Sequence, residues 1–194
     1  MFSRLEESLV RRPGTLVQGM DDARQAAVAV VVRPNLDIIF IRRADNERDP
    51  WSGHIALPGG RVDPGDASPE AAARREVFEE VGIDLGGAPL VGRMNQVASP
   101  SLAPRIVVTP FVFRVASDPL TSLQTSEVAA VHWFGLDRLL GGEGRGRFHY
   151  EYRGHSMMLP CVELDGERIW GMTLRVVDEL IERLRTEDGD LPVE

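Results

Sequence analysis

A chain of 194 residues, 43% of them hydrophobic, is long enough for one domain with its own core and too short for several. Thirty acidic against 22 basic residues leave a formal charge of -8, which repels a polyanionic backbone, so nucleic-acid binding is not expected. A small phosphorylated ligand is compatible with that charge, because a divalent cation screens phosphates and carboxylates that meet in one cleft.

The single Cys161 excludes an intrachain disulfide and a cysteine-rich zinc site. Neither a secretion signal nor a run of about 18 apolar residues occurs, so a cytoplasmic protein with no membrane partner is expected.

In chain order, Phe2, Leu5 and Leu9 predict a short amphipathic helix ended by Pro13-Gly14, which with a linker fills residues 1–25. The main domain is expected over 26–186 and a disordered polar tail over 187–194. Within the domain, residues 26–32, a run of Ala and Val, read as a buried strand, and Pro34-Asn35 turns the chain into a hairpin partner at 37–42.

Residues 44–66 are interrupted by Pro and Gly and read as loop, with a short strand at 55–57. Ser68-Pro69-Glu70 then announces a helix over 69–81, stopped by Gly82. Strands follow at 90–95, 105–115, 128–134 and 148–152, with Pro110 demoting part of the second to an edge or a bulge. A short helix is expected at 136–140. Leu174, Val177, Leu180, Ile181 and Leu184 make the apolar stripe of a C-terminal helix, with Arg175, Asp178, Glu179, Glu182 and Arg183 outside it. Mixed strands with one central and one terminal helix predict an α+β or α/β/α layered domain.

The chemistry is concentrated in residues 57–83, LPGGRVDPGDASPEAAARREVFEEVGI. Glu76, Glu79 and Glu80 stand at i, i+3 and i+4, so their carboxylates converge within one helical turn. Like charges so placed destabilise a helix, and a hard cation such as Mg²⁺ or Mn²⁺, which takes oxygen ligands and bridges them to phosphates, relieves that repulsion. Gly59 and Gly60 let the backbone turn sharply beside a ligand or metal. Arg75 is not on the face of Glu76 by simple spacing, but its fork can reach a carboxylate of the cluster. Taken alone, E-x-x-E-E is more often a solvated helix face; loop, cap, arginine and three glutamates in one ordered run favour a site.

That run resembles the Nudix box, G-x5-E-x7-R-E-U-x-E-E-x-G-U, where U is aliphatic. Residues 75–83 match its second half throughout. In the first half Gly60 lies fifteen residues before Arg75 instead of fourteen, and Ala67 stands where the pattern has Glu, leaving Asp66 or Glu70 as stand-ins. The resemblance implies a Nudix fold, a mixed sheet between helices, with Glu76, Glu79 and Glu80 holding Mg²⁺ or Mn²⁺. It also implies attack of water on a diphosphate phosphorus, with Glu79 or Glu76 assisting deprotonation.

The form PGGRVDPGD is similar to the coenzyme A pyrophosphatase branch of the family, as are Ile39-Phe40-Ile41-Arg42-Arg43-Ala44 with Arg48 and Gly53 upstream and Arg168-Ile169-Trp170-Gly171-Met172-Thr173 near the end. This likeness makes coenzyme A or a derivative the expected substrate, with Arg43, Arg48, Gly59 and Gly60 on the substrate side. ADP-ribose, NADH or another nucleotide is the rival within enzymes, and an inactive nucleotide-binding regulator is the rival of another class. The partner is a small nucleotide, and a homodimer is admitted.

Ser126-Glu127 resembles the place where family members carry a further carboxylate, so Glu127 is a candidate base or ligand, although a glutamate opening a strand is commonly just solvated. Trp51, Phe111 and Tyr152 are candidates for stacking on adenine, against the ordinary role of aromatic residues as core. The four histidines show no paired metal spacing.

Overall fold

The strand Arg24–Val32 (β1) is apolar on both faces because helices cover both. It pairs antiparallel with Asp37–Arg43 (β2) through Val32 and Ile38, across a turn in which Leu36 takes φ 69 and Leu36 N–H donates to the Arg33 carbonyl at 2.9 Å. The structure, a computed structural model, describes residues 2–47, 49, 51–99, 105–123, 126–152 and 154–185.

Further strands of the main sheet are Ile55–Ala56 (β3), Gly59–Arg61 (β4), Leu90–Arg93 (β5), Val97–Ser99 (β6), Ile106–Arg114 (β7) and Val128–Gly135 (β8). The order is β3-β2-β1-β7-β5, with β4 on β1, β6 on β7 and β8 on β2. Among the described residues only β1 and β7 run parallel, from Arg24 opposite Ile106 to Val32 opposite Arg114; the sheet is therefore mixed.

Alternation along β1 and β2 divides the core. Ala27, Ala29, Val31, Ile39 and Ile41 meet Ala72, Ala73, Val77 and Val81 of the helix Pro69–Val81 (α2) on one face. Val30, Val32, Ile38 and Phe40 meet the other layer: Leu5 and Leu9 of Phe2–Arg11 (α1), and Leu174, Val177, Leu180, Ile181 and Leu184 of the last helix. That last helix is Gly171–Arg185, α4 once the short Leu136–Leu140 (α3) is counted. The result is the expected α/β/α sandwich, and α1 belongs to its core.

α2 starts and stops where the sequence says it should. Ser68 Oγ accepts from Ala71 N–H at 3.1 Å, and Gly82 at φ 73 returns its N–H to the Phe78 carbonyl at 2.9 Å. Ser68→Ala is expected to lose about 1 kcal/mol and roughly 2–4 °C in Tm; an unchanged melting curve contradicts the capping role.

Several elements differ from the sequence reading. Pro110 sits in the interior strand β7, not at an edge. The break lies in its neighbours: β5 ends opposite Phe111 and β6 begins opposite Val108, while Met94 N–H donates to the Pro110 carbonyl at 3.0 Å. The missing proline N–H thus falls where no ladder bond is needed.

Residues 155–164 and 167–170, read as no element, form His155–Leu164 (β10) and Glu167–Trp170 (β11), which with Arg145–Tyr152 (β9) make a three-stranded antiparallel sheet. Val162, Leu164 and Ile169 pack it into the α4 layer. Arg183, placed outside the apolar stripe, is 5% exposed, because it donates to the Arg12 carbonyl at 2.6 Å and to Glu179 Oε1 at 2.7 Å, tying α1 to α4. The 187–194 tail lies outside the described residues. Among the described residues no helix is long and apolar enough to cross a membrane.

Candidate active site

α2 presents its small apolar residues to the sheet, which leaves its glutamates at the rim facing β4. β4 lies against β1 with Val28 opposite Gly59 and Ala27 opposite Gly60. Gly59 adopts φ +148, and a Cβ there would sit 2.3 Å from the Ala27 carbonyl oxygen, so only glycine permits this approach. A Cβ on Gly60 would lie 2.4 Å from Glu76 Oε1; the glutamate carboxylate occupies that space. The two glycines expected on the substrate side therefore seat the carboxylates directly.

Glu80 is 3% exposed and its Oε2 accepts from Gly59 N–H at 2.8 Å. Burial pushes its carboxyl up to about 8, against the opposing pull of that N–H, while Glu76 and Glu127 add repulsion and Arg43 attraction. Glu76 is also held above the usual carboxylate range by burial first, opposed by Arg75 and reinforced by Glu79 and Glu127. Glu79 is the exposed member, with its side chain 54% accessible.

Arg75 joins them. Its Nη1 donates to Glu76 Oε1 at 2.9 Å and Glu79 Oε2 at 2.8 Å. Its Nε and Nη2 grip the two oxygens of Asp66 at 2.9 and 3.0 Å, and Nη2 also reaches the Arg61 carbonyl at 3.1 Å. These carboxylates raise the Arg75 pKa, Asp66 most of all. Of the two stand-ins for the box glutamate, Asp66 is at the cluster. Glu70 is turned away, pairing with Arg74 Nε at 2.9 Å.

Glu127 stands in the turn before β8, with its carbonyl accepting from Ala44 N–H at 2.8 Å and its charge felt by Glu76 and Glu80. Arg43, at the end of β2, is held by Asp49 Oδ2, 2.8 Å from Nε and 2.6 Å from Nη2, with its charge acting on Glu80. Asp49 carries no spacing signal that could have named it from sequence. Arg48 and the side chain of Tyr152 lie outside the described residues. Phe111 is 7% exposed within the α2-side core, so it fills the core and does not offer a stacking face.

Among the described residues no three Asp, Glu, His or Cys side chains form a ready-made metal cage. The hydrogen bonds explain this: Glu76 and Glu79 turn to Arg75, and Glu80 turns to Gly59. The donor chemistry nonetheless fits a hard divalent cation, since the half-buried Glu76 and the buried Glu80 are oxygen donors whose charges repel each other.

Residues 23–152 match the NUDIX domain model, and the chain belongs to that family. It is 35% identical over 162 residues to the uncharacterized Nudix hydrolase NudL of Cronobacter sakazakii, covering 81% of each chain. The uncharacterized protein C14C4.10c of Schizosaccharomyces pombe is 37% identical over 119 residues, 59% of this chain, and the chain spans only 36% of that longer protein. In fold it resembles the NUDIX domain of Shewanella oneidensis NrtR, solved with ADP ribose: TM-score 0.56, 16% identity, 92% of this chain and 98% of that one. The protein is thus a Nudix hydrolase, a family that generally uses divalent metal ions.

Proposed function

We propose that this enzyme hydrolyses the diphosphate bond of coenzyme A or a coenzyme A derivative with Mg²⁺ or Mn²⁺, releasing 3',5'-ADP and 4'-phosphopantetheine in the cytoplasm. The observation that carries the chemistry is the buried Glu80 and the half-buried Glu76, seated on Gly59 and Gly60 beside the Arg75-held Glu79. Glu76, Glu79 and Glu80 would hold the cation, and it would supply neutralisation of charge on the diphosphate oxygens.

The remaining work falls to the chain. Glu79 or Glu76 accepts a proton from water as its oxygen bonds to one phosphorus and the bridging P–O bond breaks, the leaving phosphate taking the electron pair. Arg75 keeps both glutamates in place by its hydrogen bonds. Glu127 adds a carboxylate within electrostatic reach, as a second candidate base or ligand. Arg43 and Arg48 serve the substrate phosphates.

The coenzyme A choice is supported by the one-residue extension between Gly60 and Arg75, by Arg42-Arg43 ending β2 with Ala44 after them, and by Ile169-Trp170 ending β11 where Gly171 opens α4. ADP-ribose is the rival, favoured by its presence on the NrtR domain, a likeness of fold alone. Chromatography of products from coenzyme A, ADP-ribose, NADH and a dinucleoside polyphosphate separates the two. Release of 3',5'-ADP with preference for coenzyme A supports the proposal, and preference for ADP-ribose or NADH overturns that substrate.

A further inference from the structure

We propose that Asp66 is the positioning residue of the glutamate cluster, setting Glu76 and Glu79 through its grip on Arg75. The inference rests on the reading of those glutamates given above.

The Asp66 side chain is 7% exposed and is fixed from two sides. Its Oδ2 accepts from Asp63 N–H at 2.8 Å, and its own N–H donates to the Asp63 carbonyl at 3.0 Å, so the 63–66 turn is closed in both directions. Each of its oxygens then takes one arm of Arg75, at 2.9 and 3.0 Å. A guanidinium is planar, so fixing two nitrogens fixes the direction of the third. That third nitrogen, Nη1, is the one bonded to Glu76 Oε1 and Glu79 Oε2.

Asp66 therefore controls the glutamates without touching them. Neither neighbour can replace it: Ala67 has no carboxylate, and Glu70 holds Arg74, whose remaining bonds go to the carbonyls of Leu85 and Ala88. The extra residue of this loop thus brings a carboxylate back to Arg75 from one position earlier.

The test compares wild type, Asp66→Asn, Asp66→Glu, Arg75→Gln and the Asp66→Asn/Arg75→Gln double variant by Mn²⁺ titration calorimetry, kcat, KM and Tm. Asp66→Asn is expected to lose about 10–100-fold in Mn²⁺ affinity or kcat with KM little changed, and Asp66→Glu to recover part of it. In the Arg75→Gln background the asparagine should have no further effect, because the two residues act as one unit. Wild-type affinity and kcat in Asp66→Asn, a fall in Tm alone, or equal losses in both backgrounds each overturn the proposal. Asp66→Ser carries the same comparison if the asparagine variant does not fold. Coupled loss of Mn²⁺ binding in a wild-type protein that cleaves no diphosphate sinks the proposed function and leaves the role of Asp66 standing.

Discussion

Replacing Glu79 and Glu80 together by glutamine lowers kcat by about a thousandfold or more, since several kcal/mol of charge stabilisation are lost with the cation. The fold survives. Glu79 is at the surface, and glutamine at 80 is isosteric and keeps a carbonyl oxygen for Gly59 N–H. Glu80→Gln alone carries a second signature in pH. Glu80 is held up to about 8 against a usual 4.5, so the metal-free folded state keeps a proton that the unfolded chain releases. Its stabilising contribution is complete below about 4.5 and lost as pH rises through about 8, where a buried charge must form. In chelator, the variant's Tm should therefore gain on wild type from pH 5 to pH 9, and saturating divalent cation should close the gap. Parallel Tm curves across that range contradict the buried, cation-seeking role of Glu80.

Gly59→Ala removes both structure and site. The new Cβ has to fit a backbone at φ +148, 2.3 Å from the Ala27 carbonyl oxygen and 2.5 Å from Val28 Cα, and neither neighbour is a flexible side-chain tip. The backbone strain and the clash together cost about 3 kcal/mol or more, which lowers Tm by roughly 6–12 °C. β4 has to lift from β1, and Gly59 N–H leaves Glu80. Activity falls with stability. Gly65→Ala is the control: its Cβ meets nothing within 4 Å, and its stability should stay within about 0.5 kcal/mol of wild type. Equal melting temperatures for the two variants contradict the close approach of β4 to β1.

The sequence carried most information where local rules and global packing agree. Ser68, Pro69 and Gly82 delimit α2, and Glu76, Glu79 and Glu80 follow from helical spacing, because these depend on the chain only a few residues away. The β1 and β2 pair was legible because both strands are buried on two faces and read as continuous apolar runs.

The unread parts depend on distant partners. β10 is largely exposed from His155 to Pro160 and buries residues only from Cys161 onward, so no alternating pattern announces it. Arg183 looks like a surface charge until Arg12, just past α1, supplies a carbonyl. Asp66 and Glu70 are equivalent on paper; the direction of the 63–66 turn chooses between them. Arg75 reached further than expected, since Glu79 is its i+4 neighbour as well as a member of the cluster.

The most direct test of the central claim is hydrolysis of the four-substrate panel by wild type in chelator, then with Mg²⁺ or Mn²⁺ restored, beside the Glu79→Gln/Glu80→Gln variant. No cleavage is expected in chelator, diphosphate cleavage on adding either metal, and turnover lower by about a thousandfold or more in the variant with metal. Cleavage indifferent to chelator, undiminished turnover in the variant, or no diphosphate hydrolysis by wild type under any of these conditions contradicts that claim.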